Sequence, residues 1–121
     1  MNKNVLVIDP TASNSVSYTP LSNQGYSVDL VSDVDAGLQK LHHQSHDVII
    51  IKESPDAKAW QVCEKIRGLS RIPLMVISPQ ASPETSARAL QAGADYFIRK
   101  PFGPLEFVAR VQSLTRYAAL N

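Results

Sequence analysis

The residues of this chain with chemical potential stand just past short apolar runs. Asp9-Pro10 follows Val5-Leu6-Val7-Ile8, Lys52 follows Val48-Ile49-Ile50-Ile51, Ser78 follows Leu74-Met75-Val76-Ile77, and Lys100-Pro101 closes a later segment. Each run is short, mostly β-branched and ended by a polar or Pro-containing break, so each reads as a strand of a parallel sheet. In an open parallel sheet, functional groups gather beyond the carboxyl ends of the strands. One carboxylate, two ammonium groups and a hydroxyl would then share a crevice. Their formal charge is −1 + 2 = +1, a sign that repels a dication and suits a small anion such as phosphate. Two unit charges 4 Å apart interact by about 4 kcal/mol at an effective dielectric near 20. Asp9, set between Lys52 and Lys100, would offset that repulsion. The alternative is that Lys52 snorkels past the crevice into solvent.

Other chemistry finds little support. No Ser-His-Asp or Cys-His arrangement is suggested, and no paired carboxylates are available for acid–base work. Glu53 is one residue beyond Lys52, so the strand period of two is expected to turn it away from the crevice. Asp56, after Pro55, reads as a solvated loop acid. His42, His43 and His46 cluster at a helix end, where only His42 and His46 could share a face. A solvated end with favourable dipole contact is the expectation, not a metal site. Cys63 falls on the same helical pattern as Ala59, Val62 and Ile66 and is expected to be a buried structural thiol.

The elements that must position these groups follow from periodicity. Ser27 to Val31 supplies another strand, and strands alternate with helical segments, the pattern of an α/β fold with crossover helices on both sheet faces. The first helix, roughly Ser13 to Gln24, contains Pro20 and several hydroxyl residues, so it should be kinked or late-starting. Gly25 supplies a left-handed stop. The second helix, about Asp33 to Gln44, has Asp33 near its cap and Val34, Leu38 and Leu41 on one stripe. The third spans about Ala57 to Gly68 and carries Trp60. The fourth starts with Ser82 as N-cap, Pro83 at the first helical position and Glu84 beside the positive dipole end, and stops at Gly93. The fifth opens at Gly103-Pro104 and should bury Leu105, Val108, Val111 and Leu114.

At 121 residues the chain suits one domain, residues 1–121, with enough length for a core. Hydrophobic and charged fractions of 44% and 19% are globular values. A net charge of +1 argues neither for nucleic acid nor for an anionic membrane as a partner, and neither is expected. Apolar stretches of four to five residues are too short to span a bilayer, and the N-terminus lacks a secretory pattern. A lone cysteine excludes an internal disulfide, and a cytoplasmic location is the default expectation.

Ala92-Gly93-Ala94-Asp95-Tyr96-Phe97-Ile98-Arg99-Lys100-Pro101-Phe102, followed by Glu106-Phe107-Val108-Ala109-Arg110, resembles the closing third of a response-regulator receiver domain. The match runs back through Ile72-Pro73 to Val5–Ile8 and Asp9. The resemblance implies a flavodoxin-like (βα)5 doubly wound sheet in the order 2-1-3-4-5. The hydroxyl-rich Thr11-Ala12-Ser13-Asn14-Ser15 lacks the glycine and flanking aromatics expected of a flavin site.

Receivers hold Mg²⁺ with an acidic pair and an acceptor aspartate, while a Ser or Thr and a Lys take the phosphoryl oxygens. Carried onto this chain, the resemblance implies a degenerate pocket of Asp9, Pro10, Lys52, Ser78 and Lys100, with Pro10 at a metal-ligand position and Lys52 at the acceptor. It also implies a cis bond before Pro101, and Phe97 as the switch aromatic, inward or half-buried. A dimer face on helix four, strand five and helix five would involve Arg88, Tyr96, Glu106 and Arg110, with Tyr96, Tyr117 and Phe107 as apolar contacts. The expected function is a phosphorylation-independent regulatory module acting on a protein partner or attached output domain. No catalytic residue, metal or cofactor is expected. A receiver that accepts a phosphoryl group on a displaced acid, or a sensor of anions or small molecules, are the alternatives.

Overall fold

The computed structural model describes residues 3–10, 17–54, 58–79 and 82–120, with side chains to residue 116. Strands β1 (Asn4–Ile8), β2 (Ser27–Val31), β3 (Val48–Lys52), β4 (Leu74–Ser78) and β5 (Tyr96–Arg99) alternate with helices α1 (Thr19–Asn23), α2 (Val34–His43), α3 (Ala59–Arg67), α4 (Pro83–Gln91) and α5 (Pro104–Leu120). The strands form one parallel sheet in the order β2-β1-β3-β4-β5. This is the (βα)5 architecture that the resemblance implies, with the crossover helices that alternating strands and helices demand.

Strand pleating sorts the core into two layers. Leu6, Ile8, Ile49, Ile51, Leu74 and Val76 pack with Ala59, Val62, Cys63 and Ile66 of α3 and Ala89 of α4. The intervening residues Val5, Val7, Val48, Ile50, Met75 and Ile77 pack with Leu21 of α1 and with Phe107 and Val111 of α5. Burial of both faces explains why β3 and β4 are apolar without alternation.

The helix ends follow their local chemistry. Asp33 accepts a hydrogen bond from the Ala36 amide at 2.7 Å, and Ser82 accepts one from the Thr85 amide at 3.1 Å. Gly25 and Gly93 have φ of +89° and +117°, which favours glycine at both turns. The late start expected of α1 is observed, with Pro20 in its first turn, where its missing amide is no loss. Residues 13–16 of the expected helix lie outside the described residues.

One expectation on α5 fails. Leu105 is 87% exposed, while Phe107, Val111 and Thr115 are the buried positions. The buried stripe therefore starts two residues later than the pattern of large apolar residues implied. Among the described residues, no helix is long and apolar enough to cross a membrane.

Candidate functional site

Strand register decides which of the strand-end groups are neighbours. Ile8 pairs with Ile51, so the next step of the ladder brings Asp9 level with Lys52. Lys52 pairs with Ile77, so the next step brings Glu53 level with Ser78, and the Glu53 amide donates to the Ile77 carbonyl at 2.9 Å. Alternation then places Asp9 and Lys52 on the α1–α5 side, continuing the row Val48, Ile50. Glu53 and Ser78 continue the row Ile49, Ile51 on the α3–α4 side.

The first pair is buried, Asp9 at 7% and Lys52 at 4% exposure. The snorkelling alternative for Lys52 is thereby overturned, because its side chain does not reach bulk solvent. Asp9 accepts a hydrogen bond of 3.0 Å from the Tyr18 phenol. Tyr18 is buried as well, with its ring 6.2 Å from that of Phe107, which lies 5.2 Å from Phe102. Burial, then the Asp9 charge and hydrogen bond, push the Tyr18 hydroxyl well above the usual tyrosine range. Sequence reasoning missed this phenol. Its signal was an aromatic just ahead of a Pro-started helix that packs beneath the end of β1.

In the second pair, the Ser78 hydroxyl donates to Glu53 Oε1 at 2.9 Å. Glu53 Oε2 accepts from the Ala59 amide at the start of α3, at 3.2 Å. The expectation that Glu53 turns away is corrected. It does face away from Lys52, but Ser78 faces the same side as Glu53. Counting Glu53, the strand-end charge becomes −2 + 2 = 0 rather than +1. Glu53 also lines a cleft of about 480 Å³ with Lys58, Trp60, Glu84, Thr85 and Arg88.

Lys100 is half-buried, and its amide donates to the Ser78 carbonyl at 3.1 Å. The Lys100-Pro101 bond is cis. Both residues line a mainly apolar cleft of about 360 Å³ with Ser17, Pro20, Phe102 and Phe107. Phe97 is half-buried against the α3–α4 layer. Asp56 and residues 11–15 lie outside the described residues.

A hard dication wants several oxygen ligands. Among the described residues, no group of three His, Cys, Asp or Glu side chains stands together to hold a metal. Asp9 already accepts the Tyr18 hydrogen bond and stands level with the buried Lys52. This donor set does not fit Mg²⁺.

Elsewhere, His46 corrects the picture of a solvated histidine cluster. It lies beyond the end of α2, is buried, and its Nε2 stands 2.9 Å from Asp29 Oδ2 on β2. His42 and His43 meet edge to face at 5.3 Å. Cys63 is buried, as expected. Burial, offset in part by Arg67, pushes its thiol up to about 11.

The surface of α4, β5 and α5 has intramolecular contacts of its own. The Arg110 guanidinium stands 5.0 Å from the Tyr96 ring, and that of Arg88 stands 4.7 Å from the Trp60 ring on α3. Glu106 is exposed. Phe107 is core rather than surface, which corrects its expected part in an apolar contact. The Tyr117 side chain lies outside those described.

Residues 5–112 match the family model of the response regulator receiver domain. The chain belongs to the response regulator receiver domain family. It is similar to a probable transcriptional regulator, ycf27, of Guillardia theta, at 32% identity over 93% of this chain and 45% of that protein. It is also similar to the response regulator ArlR of Staphylococcus epidermidis, at 30% identity over 79% of this chain and 44% of that one. The chain thus spans less than half the length of these two relatives. Among solved structures, a CheY-like receiver domain protein from Methanospirillum hungatei superposes with a TM-score of 0.86 at 25% identity, covering 97% of this chain and 96% of that one. A two-component response regulator from Clostridium difficile, at 24% identity and a TM-score of 0.85 over 94% and 96% of the chains, shares the fold. The receiver domain is a module of two-component signalling.

Proposed function

We propose that this receiver domain works without phosphorylation, as an interaction module that regulates an attached output domain or a separate protein in the cytoplasm. The observation that carries the reading is Lys52, a buried ammonium at the end of β3, level with Asp9. On the family pattern that place belongs to the acceptor aspartate, and Pro10 stands where a metal-ligating acid is expected. An ammonium there takes the place of the dication and is not a phosphoryl acceptor. Its charge against Asp9 holds the strand ends in one arrangement. Incubation with acetyl phosphate or beryllofluoride and Mg²⁺ tests the reading. No mass gain and an unchanged Trp60 emission spectrum are expected; a stable adduct would overturn it.

A second reading has one observation in its favour. Glu53 presents a carboxylate 2.9 Å from the Ser78 hydroxyl, so it is the candidate for a displaced acceptor. An adduct mapped by peptide mass to Glu53 would establish it.

For partner contact, the α4–β5–α5 face is the proposed surface, including self-association. The aromatic platform of Tyr96 under Arg110 there suits apolar and cation–π contact more than ionic pairing.

A further inference from the structure

Glu53 is held as a bound anion would be held. Its two carboxylate oxygens are split between donors from different elements: the fully buried Ser78 hydroxyl at the end of β4 and the Ala59 amide in the first turn of α3. Lys58, the residue before that turn, makes no side-chain cap, so the cap of α3 comes from Glu53 instead. The helix N-terminus adds partial positive charge. Lys58 and Arg88 line the cleft into which Glu53 faces, alongside Glu84. A hydroxyl, an amide at a helix start and nearby cations are the donors that take a small oxyanion, and here a side chain of the same protein fills the place.

We propose that Glu53 is a built-in ligand, whose carboxylate occupies an oxyanion site formed by Ser78 and the start of α3 and keeps free phosphate out of it. The carboxylate ties β3, β4 and α3 together at the mouth of the crevice. Ser78 stays in its anion-bound arrangement without any group being transferred. The proposal rests on the phosphorylation-independent reading, since it gives the arrangement in which the domain is held.

The test is titration of inorganic phosphate, without metal or phosphoryl donor, into the unsubstituted chain and its variants, followed by calorimetry. Glu53→Ala should bind phosphate at least roughly tenfold more tightly than the unsubstituted chain, because two charge-assisted hydrogen bonds become available to the ligand. Adding Ser78→Ala should remove most of that gain. Glu53→Gln keeps the side-chain volume without the charge and carries the test if the alanine variant does not fold; a smaller gain is expected. Phosphate affinity in both Glu53 variants no higher than in the unsubstituted chain would overturn the proposal. That outcome would leave the acetyl phosphate result untouched, so the two readings fail separately.

Discussion

The Tyr18 phenol donates to Asp9 Oδ2 at 3.0 Å, both residues being buried beneath the end of β1. A hydrogen bond to a buried charged group contributes about 1.5–3 kcal/mol. Tyr18→Phe should therefore lower unfolding stability by about that amount, measured by urea denaturation. A loss under about 0.5 kcal/mol would mean that Asp9 is satisfied without the phenol.

The same contact has a pH signature. The folded-state pKa of Tyr18 is raised above the ordinary value of 10.0, so the unfolded chain releases this proton first. The contribution is fully present below pH 10 and is lost progressively as pH rises above it. Stability measured from pH 9 upward should fall less steeply in Tyr18→Phe than in the unsubstituted chain, and phenolate absorbance should show one of the four tyrosines resisting ionisation until unfolding. Equal slopes in the two proteins would contradict the assignment.

On the proposed reading, Mg²⁺ binding needs carboxylates at both position 10 and position 52. Lys52→Asp with Pro10→Asp should bind Mg²⁺ at least roughly tenfold more tightly than Lys52→Asp alone, because a hard dication needs several carboxylate oxygens. Titration followed by Trp60 fluorescence or calorimetry measures the difference. Equal affinities would remove Pro10 from the account.

Arg67 joins three segments through one guanidinium. Its nitrogens donate to the carbonyls of Gly93 at 2.9 Å and Ile72 at 2.7 Å, and to Asp95 Oδ2 at 2.9 Å. Asp95 Oδ2 also accepts from the Leu74 amide, at the start of β4. Arg67→Ala should cost about 2–4 kcal/mol, and Arg67→Lys should recover less than half, since an ammonium cannot reproduce the planar fork. Thermal denaturation of the two variants distinguishes this from loss of charge alone, which lysine would repair.

Gly37 in α2 faces Ile8: a Cβ there would meet Ile8 Cδ1 at 2.5 Å and Cγ1 at 2.7 Å. An exposed helix glycine usually gains about 1 kcal/mol on replacement by alanine. Here Gly37→Ala should instead lose about 1–3 kcal/mol by overpacking against β1. A stabilised variant would show that α2 shifts outward at little cost.

The caps at Asp33 and Ser82 and the turns at Gly25 and Gly93 were legible because they depend on neighbours in sequence, whereas the sheet order came from the resemblance to receiver domains. The strand-end positions of Asp9, Lys52, Ser78 and Lys100 were legible too, since each follows its own apolar run. Which of them touch was not legible. Alternation along β3 relates Glu53 to Lys52, but only the pairing of β3 with β4 relates Glu53 to Ser78, and register is a property of two strands. Tyr18 and His46 were missed for a related reason. Each finds its carboxylate through tertiary packing that no local period encodes. Leu105 erred oppositely: it fits the hydrophobic pattern of α5, but the face that α5 turns to the sheet is that of Phe107 and Val111 and leaves Leu105 exposed.

The division of the strand ends by pleat parity makes the sheet an insulator. Asp9 and Lys52 answer to α1 and α5, whereas Glu53 and Ser78 answer to α3 and α4. One step along β3 therefore changes which helices a side chain serves, as the consecutive residues Lys52 and Glu53 show.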